Sequence, residues 1–193
     1  MRDSFPDSVE MLAIDFSRFP ILRTERMLLR ELEPADADAL FAMRSDERVM
    51  RHIGRPRASS LQDAVDLIER IAIDRMSNQG LTWGMQLSGS REFIGTIGFY
   101  RLKPEHFTGE VGYLLQPDHW GQGLMSEALE LVTNHGFGRI GFHRIEAITA
   151  PENQPSRRVL ERCGYRLEGI LRGSYHWQGA QLDSALYGRL RTD

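Results

Sequence analysis

Apolar positions recur at two spacings along the chain, and the places where the spacing changes outline its elements. Met27-Leu28-Leu29-Arg30-Glu31-Leu32 predicts a first strand. Pro34 suits the first turn of a helix whose apolar side is Leu40, Phe41 and Met43, with Asp36 and Asp38 near the positive end of its dipole. After a loop holding Gly54 and Pro56, Ser59 or Ser60 can cap a second helix, on which Leu61, Ala64, Val65, Ile68, Ile71 and Ala72 recur at helical spacing up to Gly80. Then the period shortens. Leu81 to Leu87, Glu92 to Leu102 and Glu110 to Gln116 predict three strands, with a hairpin through Lys103-Pro104-Glu105-His106. Leu124, Ala128, Leu131, Val132 and His135 mark one face of a helix ending near Gly136 or Gly138. Phe142 to Ala150 predicts another strand, and Pro155 opens a short helix ending at Gly164. Tyr165 to Leu171 and Leu182 to Arg189 are the last strands, linked through Gly173 to Gly179.

Three successive strands suggest an antiparallel meander, and the helical crossovers suggest local parallel pairing. The expected class is α/β (α+β), a mixed central sheet with helices on both faces. No internal repeat or low-complexity tract interrupts it. Residues 1–20 show no period. Phe5, Phe16 and Phe19 stand there among Pro6, Pro20 and several Asp, which makes an extension, loose or packed as an arm, on a single domain over 21–193.

Composition narrows the class. The chain has 193 residues, 41% hydrophobic and 26% charged, as expected of an ordinary soluble protein. No apolar run reaches membrane-spanning length, no signal peptide pattern opens the chain, and a lone cysteine fits a reducing compartment, so a cytoplasmic protein is expected. A net charge of −3 argues against general nucleic-acid binding, so any phosphate must be held locally, by backbone amides and a few arginines. The six histidines show no metal-ligand spacing, and no metal is expected.

The candidate chemistry centres on Glu110-Val111-Gly112-Tyr113-Leu114-Leu115-Gln116-Pro117-Asp118-His119-Trp120-Gly121-Gln122-Gly123-Leu124-Met125, a strand, a glycine turn and a helix start. Such a turn leaves backbone N–H groups unpaired and attracts phosphate. Gly121 and Gly123 alone are weak evidence, since an ordinary strand-to-helix turn also uses glycine. The third glycine and acidic partner of a dinucleotide fold are missing, and so is the Gly-Lys-Ser/Thr of a Walker loop.

The segment resembles the cofactor-binding motif of the GCN5-related N-acetyltransferases (GNAT superfamily), usually Gln/Arg-x-x-Gly-x-Gly/Ala. Within it, the chain looks most like the RimJ/RimL type of ribosomal-protein N-terminal acetyltransferases. The matching stretches are Thr24 to Arg30, Gly95-Thr96-Ile97-Gly98, Glu110 to Tyr113, Trp120 to Ala128, and Asn153-Gln154-Pro155-Ser156 continuing to Tyr165. One position departs: Asp118 stands where Gln or Arg is usual, so its carboxylate must cap the helix or the loop must be set differently. The resemblance implies a sheet splayed between its fourth and fifth predicted strands, acetyl-CoA as cosubstrate, and an amine acceptor. It further implies that Leu114, Leu115 and Gln116 hold the pantetheine arm, that the amides of His119, Trp120, Gly121, Gln122, Gly123 and Leu124 bind the pyrophosphate, and that Asn153 and Ser156 contact the arm near the sulfur.

Acyl transfer to an amine needs a neutral nucleophile, oxyanion donors and a proton for the departing thiolate. The resemblance implies that Glu110 acts as general base, often through water; the alternative is that it pairs with an arginine and only positions structure. Ser156 is a candidate acid, though Asn153 as N-cap with Pro155 and Ser156 in the first turn explains all three without chemistry. Tyr175, in a loop facing the amine, and Tyr165, more consistent with core, are its rivals. Arg157 and Arg158 can reach an adenosine 3′-phosphate or simply face solvent, and Trp120 is expected to pack under the glycine turn. Trp83 and Trp177 are candidates for the acceptor pocket or for core and surface. The expected acceptor is a protein or peptide N-terminal amine. The alternatives are a small amine such as an aminoglycoside, polyamine or amino acid, and, in another class, a non-catalytic acyl-CoA sensor. No direct nucleic-acid or membrane partner is expected, and a homodimer is compatible with the family's habits.

Overall fold

A computed structural model describes residues 11–193. One eight-stranded sheet runs in the order β1-β2-β3-β4-β5-β6-β8-β7. Its strands are β1 (Leu22–Arg23), β2 (Met27–Arg30), β3 (Leu81–Leu87), β4 (Phe93–Lys103), β5 (Thr108–Leu115), β6 (Arg144–Thr149), β7 (Arg166–Trp177) and β8 (Ala180–Leu190). The helices are α1 (Ala37–Ser45), α2 (Glu47–Met50), α3 (Leu61–Met76), α4 (Leu124–His135) and α5 (Gln154–Arg162). Every pair is antiparallel except β5 with β6, so the mixed, mostly antiparallel sheet expected from the sequence is present.

The parallel pair is short. β5 and β6 pair at Thr108↔Arg144, Gly109↔Ile145 and Glu110↔Glu146, then part. Beyond that point β5 follows β4 up to Leu115↔Gly95, while β6 follows β8 up to Thr149↔Ala185. Each strand obeys its own antiparallel partner, and the two halves of the sheet twist away from each other. This wedge is the predicted splay, between the fourth and fifth strands when the two-residue β1 is left out.

Alternate residues of β5 serve two cores. Val111 and Leu115 join a cluster with Trp83, Phe99, Leu124, Ala128, Leu129, Leu160 and Tyr165, whereas Leu114 packs on Leu40, Met50, Ala64 and Ile68 of α1–α3. Helices therefore cover both faces. Ser60 caps α3 in a reciprocal box with Asp63. Arg30 of β2 fixes the start of α1: its Nη1 and Nη2 donate to the Asp36 carboxylate at 2.8 and 2.7 Å, and the Glu33 N–H donates there too at 2.8 Å. The segment before β1 packs as an arm. Phe16 is buried in the larger core, Leu12, Ile14 and Phe19 lie against it, and the buried Trp83 indole donates to the Pro20 carbonyl at 2.6 Å. Trp83 is thus core rather than acceptor pocket. The remainder of the predicted extension, residues 1–10, lies outside the described residues.

The structure corrects three boundaries. The loop expected after α1 contains α2, a single turn capped by the Asp46 side chain. The helix expected to end near Gly136 or Gly138 has its last α-helical residue at His135 and gives way to a π-turn over Gly136–Ile140, ended by Gly141 at φ 96°. The last two strands are longer than expected and form one hairpin closed at Gln178-Gly179, both with positive φ, as a tight two-residue connection requires. Irregular register between Leu171 and Tyr175 broke the alternation that marks a strand.

Candidate active site

The wedge between β5 and β6 opens a cleft of about 730 Å³. Its walls come from α2 and the residues after it, the splayed part of β5, the glycine turn with the start of α4, the end of β6, and α5. Gln116 donates its N–H to the Ile94 carbonyl of β4 at 2.8 Å. By strand alternation the amides of Leu115, Tyr113 and Val111 then face away from β4; the parallel pairing at Glu110↔Glu146 takes up the Val111 N–H, and no described strand pairs with the edge beyond it, which carries the amides of Tyr113 and Leu115. The Leu115 carbonyl on that edge accepts from the Trp120 indole at 2.9 Å. Trp120 is therefore not packed beneath the turn as expected. The residue is 47% exposed at the cleft wall.

At the end of β5 the chain makes a short 3₁₀ turn, Pro117–His119, and then passes Gly121 at φ 73° and Gly123 at φ 77°. Both conformations strain an L-residue, which is why glycines stand there. Gly123 is the N-cap of α4 and supplies no side-chain cap. The amides from Gly121 to Ser126 find no acceptor among the described residues, so they converge on the cleft with the positive end of the α4 dipole. Asp118 makes no capping bond. Its carbonyl accepts from the Gln122 amide at 2.9 Å, and its side chain lies outside the cleft lining. Arg26 steadies the turn from the far side, pairing with Glu127 and donating to the Gln122 carbonyl at 2.9 Å.

Across the wedge, Asn153 caps α5 by accepting the Ser156 N–H at 3.2 Å, and both residues line the cleft. The Ser156 hydroxyl meets the Tyr113 hydroxyl at 3.0 Å, and Tyr113 also approaches the Ser156 carbonyl at 3.2 Å. Burial pushes the Tyr113 phenol well above its ordinary pKa, so it stays protonated. The sequence pattern placed Tyr113 in the strand from Glu110 to Gln116 but gave no reason to couple it to Ser156, forty-three residues away.

The cleft gathers Leu114, Leu115, His119, Trp120, Gly121, Gly123, Leu124, Asn153 and Ser156. Four expected site residues stand outside its lining. Gln116 donates its side-chain amide to the Phe93 carbonyl at 3.0 Å, and Gln122 turns back on Asp118. Glu110 sits where the wedge begins, with both carboxylate oxygens 2.8 Å from Nη1 of Arg101. Tyr175 is on β7, not in a loop, and its hydroxyl donates to the Gly54 carbonyl. Tyr165 is core, bonded to Thr133 at 2.8 Å, and Cys163 is buried with its thiol pushed up to about 11 by desolvation. Arg157 is held by Tyr187 and the Pro151 carbonyl, so only its neighbour Arg158 faces the cleft. Arg48, Arg51, His52 and Ile53 were missed, because the turn that carries them was too short to show a period.

Comparison with known proteins agrees with this geometry. A family model described as an acetyltransferase (GNAT) domain matches residues 26–166. The uncharacterized N-acetyltransferase YoaA of Bacillus subtilis (strain 168) is 36% identical over 169 residues, 88% of this chain and 96% of that protein. The ribosomal-protein-serine acetyltransferase of Escherichia coli (strain K12) is 35% identical over 99 residues, 51% of this chain and 55% of that protein. A GNAT-family acetyltransferase from Bacillus anthracis has a TM-score of 0.81 at 29% identity, covering 90% of this chain and 100% of that one.

Proposed function

Because the chain belongs to the GNAT acetyltransferase family and is an N-acetyltransferase, we propose that its cleft takes acetyl-CoA and delivers the acetyl group directly to the N-terminal amine of a peptide or protein. The observation that carries this reading is the meeting, in one cleft, of an uncapped helix N-terminus with a strand edge that has no partner. The amides from Gly121 to Ser126 suit a pyrophosphate, with Arg158 alongside. The outward amides of Tyr113 and Leu115 suit an extended amide-bearing arm laid down as an added strand, and an N–H on this edge can polarise the thioester carbonyl. Arm and turn are contiguous along β5, so one ligand can satisfy both.

Ser156 donates the proton to the leaving thiolate in this scheme and regains one, through water, from the amine that the acetyl group has joined, and Tyr113, protonated throughout the working pH range, orients the serine hydroxyl. The acceptor's own ionisation eases the other half of the reaction. A peptide N-terminal amine has a pKa near 8, so an appreciable fraction is already neutral at physiological pH, and water can carry its proton away. Glu110, engaged by Arg101 at the start of the wedge, then positions the strands rather than acting as an obligatory base. Asn153 contributes as the cap that sets the Ser156 backbone.

Incubation with acetyl-CoA and a panel of peptides, followed by free-thiol release and mass spectrometry of the peptide N-terminus, tests the proposal. Acetylation at the α-amine is expected. Thiol release only with free lysine side chains or small amines would overturn the acceptor assignment, and no uptake of acetyl-CoA in calorimetry would overturn the cofactor site.

A further inference from the structure

Although the chain carries a net charge of −3, its cleft is lined by Arg48, Arg51, His52, His119, Arg158 and Arg162, with no Asp or Glu among the lining residues. These basic residues divide between the faces of the sheet. Arg158 and Arg162 belong to α5, which with α4 packs on the larger core, where the proposed phosphate site lies. Arg48, Arg51 and His52 belong to α2 and the residues after it, which pack with α1 and α3 on the opposite face. Phosphates seated at the α4 N-terminus account for the first group only.

The second group is larger than the lining. Arg44, at the end of α1, is held beside this segment by the Ala58 N–H, which donates to its carbonyl at 3.0 Å. Its half-buried guanidinium has no acceptor among the described residues, and burial together with the charge of Arg55 makes it a less comfortable cation. Tyr100 borders the same space: its ring lies against Gly112 of the cleft wall. Among the described residues Arg51 and Arg55 likewise have no carboxylate partner, whereas Arg48 and Arg57 are taken by Asp46 and Glu47. The hairpin closes this end, through the bond from Tyr175 to the Gly54 carbonyl. Three unpaired guanidiniums on one short stretch repel one another, an arrangement that an anion relieves.

With α4 and α5 occupying one face, an incoming amine reaches the thioester from the α2 face. We infer that the acceptor is an acidic peptide, its amine followed within a few residues by carboxylates that Arg44, Arg51 and Arg55 receive. The inference rests on the peptide acetylation proposed above and names the sequence class it selects. A polycation such as a polyamine meets repulsion at the same wall.

The test uses the full chain and two short peptides alike except for glutamates or lysines at the second and third positions, with spermidine as a third acceptor. The glutamate peptide is expected to exceed the lysine peptide by about tenfold or more in kcat/KM, mainly through KM. The R51E/R55E variant, altered only at exposed positions, is expected to erase or reverse that preference while the KM for acetyl-CoA stays within about twofold. Equal use of both peptides, a preference for lysine or spermidine, or a preference that survives charge reversal would overturn the acidic-acceptor assignment and leave peptide acetylation standing. A chain that acetylates no peptide of either charge would overturn both.

Discussion

Removing the Tyr113 hydroxyl tests the coupling at the centre of the cleft. In Tyr113→Phe the ring and its packing remain, but the contacts at 3.0 Å to the Ser156 hydroxyl and at 3.2 Å to its carbonyl disappear. Both atoms sit at a partly buried helix start, so the loss leaves polar groups short of a partner, at about 1–3 kcal/mol of stability. For a chain of this size that is a fall of roughly 2–4 °C in Tm per kcal/mol. Desolvation raises the Tyr113 pKa, so the phenol is neutral in both folded and unfolded chains below its ordinary value of 10.0, and the stability difference between variant and parent should be flat with pH up to that point. The kinetic arm is a double-mutant cycle with Ser156→Ala. If Tyr113 acts by orienting Ser156, the second substitution adds little to the first, and the coupling in kcat is about 0.5–3 kcal/mol. Scanning calorimetry gives the stabilities and thiol release gives kcat. Effects on kcat that add to within about 0.5 kcal/mol, or a Tyr113→Phe protein as stable as the parent, would refute the reasoning.

Other consequences are separable from this one. Gly123→Glu forces a side chain into φ 77° and sets a carboxylate at the α4 N-terminus, so calorimetry should show acetyl-CoA affinity lost; parental affinity would place the pyrophosphate elsewhere. Glu110→Gln should reduce kcat by less than about tenfold, with a variant-to-parent ratio that is flat in pH, whereas a drop of about a hundredfold or more would restore Glu110 as general base. Asp36→Ala strands the Arg30 guanidinium in a site where its side chain is only 15% exposed, and should cost about 3–5 kcal/mol in urea unfolding; a loss below about 1 kcal/mol would deny the pair its structural role. Cys163 keeps its thiol neutral in the fold up to about 11, while the unfolded chain ionises from 9.0. Stability should therefore be intact below 9.0 and decline as pH rises through about 11, a decline that Cys163→Ala removes; an identical alkaline profile in that variant would count against it.

Much of the fold was legible in the chain because its signals are local. Helical spacing from Leu61 to Ala72, the glycines at 121 and 123 and the Asn153-Gln154-Pro155-Ser156 start each act over a few residues, and each element stands where it was expected. The family resemblance also came from contiguous motifs. The hairpin of β7 and β8 was understated because β7 and the first residues of β8 are mostly exposed, so burial imposes no clean alternation on that part of it.

The sequence by itself therefore determined the order of elements, the turn that can hold a phosphate, and the strand that borders it. Only the tertiary structure decided which groups face one another: Tyr113 with Ser156, Glu110 with Arg101, Tyr175 with Gly54, and Arg51 after α2 with the cleft. The physical reason is range. Capping, helical period and glycine geometry are set within a turn of chain, whereas the wedge exists because β5 and β6 each follow a different antiparallel partner, and that divergence belongs to the assembled sheet.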